Sequence, residues 1–89
     1  MYYIYILLLS NKQLYKGFTV NLKQRLDEHC RGKVKSTRKR LPVKLIHCEC
    51  YLLESDAKRR EKYLKKTEGR RFLKQQLRDI LNKLDINKL

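Results

Sequence analysis

Two short runs rich in aromatic and branched residues, 2–9 and 14–19, stand four polar residues apart at the start of the chain. Each is too short for a stable helix and has the Tyr, Phe, Ile and Thr content of a strand, while Ser10-Asn11-Lys12-Gln13 supplies the turn. An antiparallel hairpin follows. Alternation puts Tyr3, Tyr5 and Leu7 on one face of the first strand, and Tyr15, Gly17 and Thr19 on one face of the second. A connection of three or five residues would bring Tyr5 and Tyr15 to the same face of the hairpin, whereas four would separate them.

Beyond the hairpin, Asn21 and Gln24 resemble a capping box, and Leu22, Leu26 and Cys30 recur at helical spacing. A helix over 22–30 is expected, ended by Gly32. Arg25 and His29 lie one turn apart on it and flank the apolar stripe, which places them at the rim of the core. Residues 31–42 carry Arg31, Lys33, Lys35, Arg38, Lys39 and Arg40 and read as a solvated loop. Val43 to Leu52 reads as a third strand, with Ile46, Cys48, Cys50 and Leu52 on its apolar face and His47 and Glu49 on the other. Ser55 is the expected N-cap of a helix over 56–66, and Thr67 of another over 68–84 with a stripe of Leu73, Leu77, Ile80, Leu81 and Leu84. The fold expected is α+β, a small three-stranded antiparallel sheet flanked by three or more helices. It forms a single domain over 1–84, with 85–89 a frayed tail.

An 89-residue chain has room for one domain, which buries about 60% of the surface its unfolded form exposes. Lys and Arg number 23 against 9 acids, a net charge of +14, and no fold of this size can pair so many cations internally. A polyanion is the expected partner: nucleic acid first, with the ribosome or an anionic membrane surface satisfying the same charge. The apolar run 2–9 is too short to cross a membrane and lacks the basic start of a secretion signal. Three cysteines, at 30, 48 and 50, fit reduced thiols in a cytoplasmic protein. Alternation turns Cys48 and Cys50 inward as small hydrophobes and His47 away from them, so His47-Cys48-Glu49-Cys50 does not read as a zinc site.

Glu61 is the acid that calls for a reason. It falls four residues after Ala57 and three before Leu64, both expected to face the core. Its cationic neighbours Arg59, Arg60, Lys62 and Lys65 would make an ordinary ion pair, but their positions point away from its stripe. A half-buried carboxylate beside two tyrosines and an arginine suits an oxygen ligand for Mg2+, which takes one or two carboxylates and keeps its waters.

Taken together, Tyr3-Ile4-Tyr5, Tyr15-Lys16-Gly17, Arg25, His29 and Arg60-Glu61-Lys62 resemble the GIY-YIG nuclease family, in particular its small standalone bacterial members. The resemblance spans roughly residues 2–75. It extends to Gly32 followed by Ser36 and Thr37, and to Pro42-Val43-Lys44-Leu45. Tyr3 replaces the first glycine of the first motif and Lys16 the isoleucine of the second. No match is evident for the asparagine that some members carry after the glutamate. The resemblance implies a divalent-metal-dependent nuclease, with Tyr5, Tyr15, Arg25 and His29 as catalytic residues and Glu61 as ligand for Mg2+ or Mn2+. Water attacks the phosphodiester, helped by a tyrosine that Lys16, Arg25 or His29 assists. Lys16, Lys33, Lys35, Arg38, Lys39 and Arg40, with the cationic side of the last two helices, would grip the backbone of nucleic acid, DNA in the first instance, without reading bases.

Such a protein is expected to work as a monomer, with no obligate protein partner and no membrane. The competing reading is a catalytically inactive basic domain that binds nucleic acid, RNA- or ribosome-associated, for which the same charge serves. A membrane-surface role is weaker, because the apolar stripe of the last helix is needed for the core.

Overall fold

The computed structural model describes residues 1–84; the proposed frayed tail, 85–89, lies outside the described residues. The elements run β1 (Tyr2–Leu8), β2 (Leu14–Thr19), α1 (Leu22–Cys30), a 3-10 turn (Arg38–Arg40), β3 (Lys44–Tyr51), α2 (Glu54–Leu64), α3 (Thr67–Gln76) and α4 (Arg78–Lys83). They build the expected α+β architecture, a three-stranded antiparallel sheet of order β2-β1-β3 with helices on both faces.

The central strand is apolar without alternation because both of its faces are covered. Ile4 and Ile6 pack with Ala57, Leu64, Leu73, Leu77 and Leu81 under α2, α3 and α4, while Tyr5, Leu7 and Leu9 pack on the other side with Tyr15, Leu22, Leu26 and Val43. The hairpin closes through three residues: Leu9 N–H donates to Gln13 C=O and Lys12 N–H to Leu9 C=O, each at 2.9 Å. Lys12 takes the left-handed conformation that such a loop requires, φ 70°. Tyr5 therefore pairs with Gly17 and Leu7 with Tyr15, and both tyrosines share a face.

Asn21 caps α1 as expected: its side chain accepts from Gln24 N–H at 3.1 Å and donates to Gln24 Oε1 at 3.2 Å. At the other end Gly32, φ 74°, reverses the chain, with Gly32 N–H on His29 C=O and Lys33 N–H on Glu28 C=O.

Three expectations are corrected. The covered face of β3 is the one bearing His47, Glu49 and Tyr51, whereas Cys48 and Cys50 are exposed, as is Cys30. A register shift between Ile6 and Leu7 leaves Ile46 as an extra residue on β3, and Ile46 packs against the same cluster as Tyr51. Strict alternation fails across such a bulge. The buried polar face is satisfied by Arg60, which grips Glu49 with two bonds of 3.0 and 3.1 Å, and by His47 and Tyr51 at 3.0 and 2.8 Å. Burial pushes the Glu49 carboxyl up, but hydrogen bonds from Arg60, His47 and Tyr51 outweigh it and hold the group below its usual value.

Secondly, neither expected cap is used: α2 begins at Glu54 and α3 at Thr67, without a side-chain cap from Ser55 or Thr67, and Glu54 and Asp56 in the first turn of α2 complement its dipole instead. Thirdly, the expected long helix is two, interrupted at Leu77, φ −100° and ψ 17°. Arg78 Nη1 reaches back to the Gln75 carbonyl at 2.9 Å. The stripe survives the break, with Leu73, Leu77 and Leu81 all buried.

Candidate active site

Gly17 makes the site possible at the level of a single atom. Tyr5 lies directly across from it, and a Cβ at Gly17 would collide with the para carbon and hydroxyl of the Tyr5 ring. The phenol therefore passes over the bare glycine and carries its hydroxyl onto the edge strand β2. There the Tyr5 oxygen meets His29 Nε2 at 2.8 Å and accepts from Arg25 Nε at 3.4 Å. His29 Nδ1 stands 2.7 Å from Thr37 Oγ1.

These groups form one buried chain, Tyr5–His29–Thr37, with Tyr5 at 1% exposure and His29 and Thr37 at 0%. Burial and then the Arg25 charge push the His29 pKa down, so its imidazole is neutral at pH 7. Both ring nitrogens are satisfied, one as donor and one as acceptor. Burial raises the Tyr5 pKa more than the Arg25 hydrogen bond lowers it, so this phenol holds its proton at neutral pH.

His29 is thus a core residue and not a rim residue. The inward stripe of α1 runs through Leu22, Leu26 and His29, and Cys30 faces outward. The loop 31–42 is likewise less free than its charge suggests. Val34 is buried at 7% and Thr37 completely, and the turn between them is closed by Thr37 N–H and Arg38 N–H on the Val34 carbonyl. Lys33, Lys35, Arg38, Lys39 and Arg40 remain exposed around these two anchors.

Tyr15 is the more accessible phenol. It is half-buried, its ring 6.3 Å from that of Tyr5 and 5.3 Å from that of His29, and its hydroxyl accepts from Ser36 Oγ at 3.3 Å. Arg25, half-exposed, also pairs with Glu28 at 3.0 Å. A shallow groove lined by Arg25, Lys33, Val34, Lys35 and Ser36 opens beside it. Ser36 and Thr37, which entered the family resemblance with no role attached, prove to be site neighbours, Ser36 on the Tyr15 hydroxyl and Thr37 on His29.

Glu61 lies on α2, across the sheet from the tyrosines, with 19% of its side chain exposed. Its charge is nonetheless among those that raise the Tyr5 pKa, consistent with the phenol having been carried to the β2 edge. Of the four cationic neighbours expected to point away, Lys65 turns toward it and pairs at 3.3 Å, and Lys58, one turn earlier, stands at 4.0 Å; Arg59 and Arg60 pair instead with Asp56 and Glu49. Lys16 is also corrected. It pairs with Ile6, so alternation sends it to the face opposite Tyr15, beside Arg70 and Lys74, and it cannot assist either phenol directly.

The family model of the GIY-YIG catalytic domain matches residues 1–76. The chain belongs to the GIY-YIG domain family. Within it the chain is similar to the UPF0213 protein of Syntrophus aciditrophicus, 48% identical over 66 residues that cover 72% of this chain and 76% of that one. It is similar, too, to a UPF0213 protein of Bacillus licheniformis, 44% identical over 66 residues covering 73% and 68%. Among solved structures, that of a UPF0213 protein from Bacillus halodurans aligns with TM-score 0.54 and 30% identity over 82% of each chain. The GIY-YIG domain is a nuclease-type fold whose members generally use divalent metal ions. Among the described residues no three His, Cys, Asp or Glu side chains gather around a metal position. One partly exposed carboxylate with flexible lysine partners still fits Mg2+, whose remaining ligands are water and substrate phosphate.

Proposed function

We propose that this GIY-YIG domain is a metal-dependent nuclease that hydrolyses phosphodiester bonds in nucleic acid, DNA in the first instance, without reading sequence. The observation that carries the reading is the buried Tyr5–His29–Thr37 chain, which holds Arg25 and Tyr15 at the β2 edge. A fully buried neutral histidine wired to a phenol is a costly way to fill a core, and it fixes a guanidinium and a second phenol at an exposed edge.

Glu61 would hold Mg2+ or Mn2+, which when bound supplies charge neutralisation at the phosphate. Arg25 binds the phosphoryl oxygens: its Nε and one terminal nitrogen are engaged by Tyr5 and Glu28, which leaves the guanidinium oriented with further N–H donors to spare. Tyr15 is the phenol that meets the attacking water, being half-buried where Tyr5 is sealed. Tyr15 orients that water through its hydroxyl oxygen, and takes the water's proton only as the phenolate, its own proton having passed to solvent first. Tyr5, His29 and Thr37 are positioning residues. The net charge of +14 and the exposed cations of 31–40 support backbone binding.

A second reading is favoured by two ion pairs. Lys65 and Lys58 already neutralise Glu61, which suits a binding domain that does no chemistry. Incubating the protein with plasmid, linear duplex and single strands in Mg2+ or Mn2+ separates the two. The nuclease reading expects cleavage that falls on the order of a hundredfold or more in Glu61→Ala and in Arg25→Ala. Binding without cleavage in either metal would establish the binder, and equal cleavage by Glu61→Ala would expose a contaminant.

A further inference from the structure

Lys12, Lys16, Arg70 and Lys74 line one groove where the β1–β2 turn meets α3, with Leu14 and Leu73 as apolar lining. None of the four has a carboxylate partner among the described residues. Ordinary surface lysines spread apart in water. Here Lys16 is half-buried on β2 in the wall of the groove. Burial, then the charges of Arg70, Lys74 and Lys65, push its pKa down. Folding thus gathers like charges and dries one of them, a cost that a bound anion would reverse.

The groove also adjoins the candidate site. Lys65 pairs with Glu61 and bears on Lys16, linking the acid to the cationic cluster. Moreover β2 is an edge strand, so consecutive residues Tyr15 and Lys16 turn to its two faces, and a polyanion lying over that edge meets both.

We infer that this groove is a phosphate-binding subsite for the backbone of the nucleic-acid strand whose scissile phosphate lies at Tyr15, Arg25 and Glu61. The inference rests on the nucleic-acid reading above and adds to it a second contact region, on the Glu61 face of the sheet and away from the loop 31–40. A free nucleotide or pyrophosphate offers the same phosphate chemistry, but continuity with the edge favours a polymer.

The test measures oligonucleotide affinity by fluorescence anisotropy in EDTA across a sodium chloride series, for the parent and the triple variant Lys16→Gln, Arg70→Gln, Lys74→Gln. A control carries Lys23→Gln and Lys44→Gln, both exposed positions away from the groove, and is compared with the double variant Lys16→Gln, Lys74→Gln of equal charge. Loss of three backbone contacts flattens the slope of log K against log salt by about 2 to 3, since each phosphate contributes about 0.7–0.9. The single Lys74→Gln protein, altered only at an exposed side chain, should lose about 1 and guards against misfolding of the triple variant. Equal flattening in the control, or none in the groove variants, overturns the inference. So does displacement of NMR signals from Lys16 by pyrophosphate or AMP with no displacement by oligonucleotide. Because binding is read without metal, a protein that never cleaves still returns the slope loss. Cleavage with an unchanged slope would sink the groove alone.

Discussion

His29 has no exposed surface and both of its ring nitrogens are bonded, so its protonation is coupled to folding. Burial, reinforced by Arg25, lowers its folded-state pKa below the unfolded value of 6.5. The unfolded chain therefore binds the proton more readily. The contribution of His29 to stability is complete above pH 6.5 and is lost progressively as pH falls below that value. Thermal unfolding of the parent should drop in temperature from pH 6.5 downward, and His29→Gln, less stable at pH 7, should flatten that part of the curve. The acid loss due to Glu49, whose pKa lies below 4.5, should persist in both proteins and separates the two effects. Little of this was legible from residue types. A histidine one position from an apolar stripe looks like a rim residue, and only its partners make burial tolerable. Those partners, Tyr5 and Thr37, are 24 and 8 residues away.

Among elements, those whose order was set by local chemistry were readable: the hairpin from its turn, α1 from the Asn21 cap and Gly32. Elements shaped by distant packing were not. The β3 bulge at Ile46 exchanged the roles of its two faces, and the interruption at Leu77 has no sequence mark in a stripe that continues through it. The corner between α2 and α3 shows how tightly such packing is drawn. Gly69 sits so close under the Tyr63 carbonyl that a Cβ there would overlap backbone atoms of Tyr63 and Leu64. Gly69→Ala should therefore force the two helices apart and cost about 1–3 kcal/mol, read as a lower urea midpoint with unchanged m-value. A neutral or stabilising result would mean that the corner relaxes freely.

For the molecule as a whole, the sheet divides two kinds of surface. One face carries the tyrosines beneath α1 and the cationic loop 31–40; the other carries Glu61 and the groove of Lys16, Arg70 and Lys74. The sequence foretold a basic protein with this constellation of residues, but not that the acid and the phenols approach the same edge from opposite sides. Placing Lys16 away from the phenols follows from period two once the register is known. If 31–40 contacts only backbone, Arg38→Ala, Lys39→Ala and Arg40→Ala together should weaken binding by the same factor for unrelated oligonucleotides of equal length. A change in sequence preference, measured by competition, would contradict that role.

β1 is at once the middle strand and the bearer of Tyr5, and helices seal it from above and below. No fraying motion can release that phenol while the remainder stays folded. Deuterium should enter the amides of Ile4 to Leu7 only through cooperative opening of the entire domain, so catalytic geometry and global integrity would fail at one threshold.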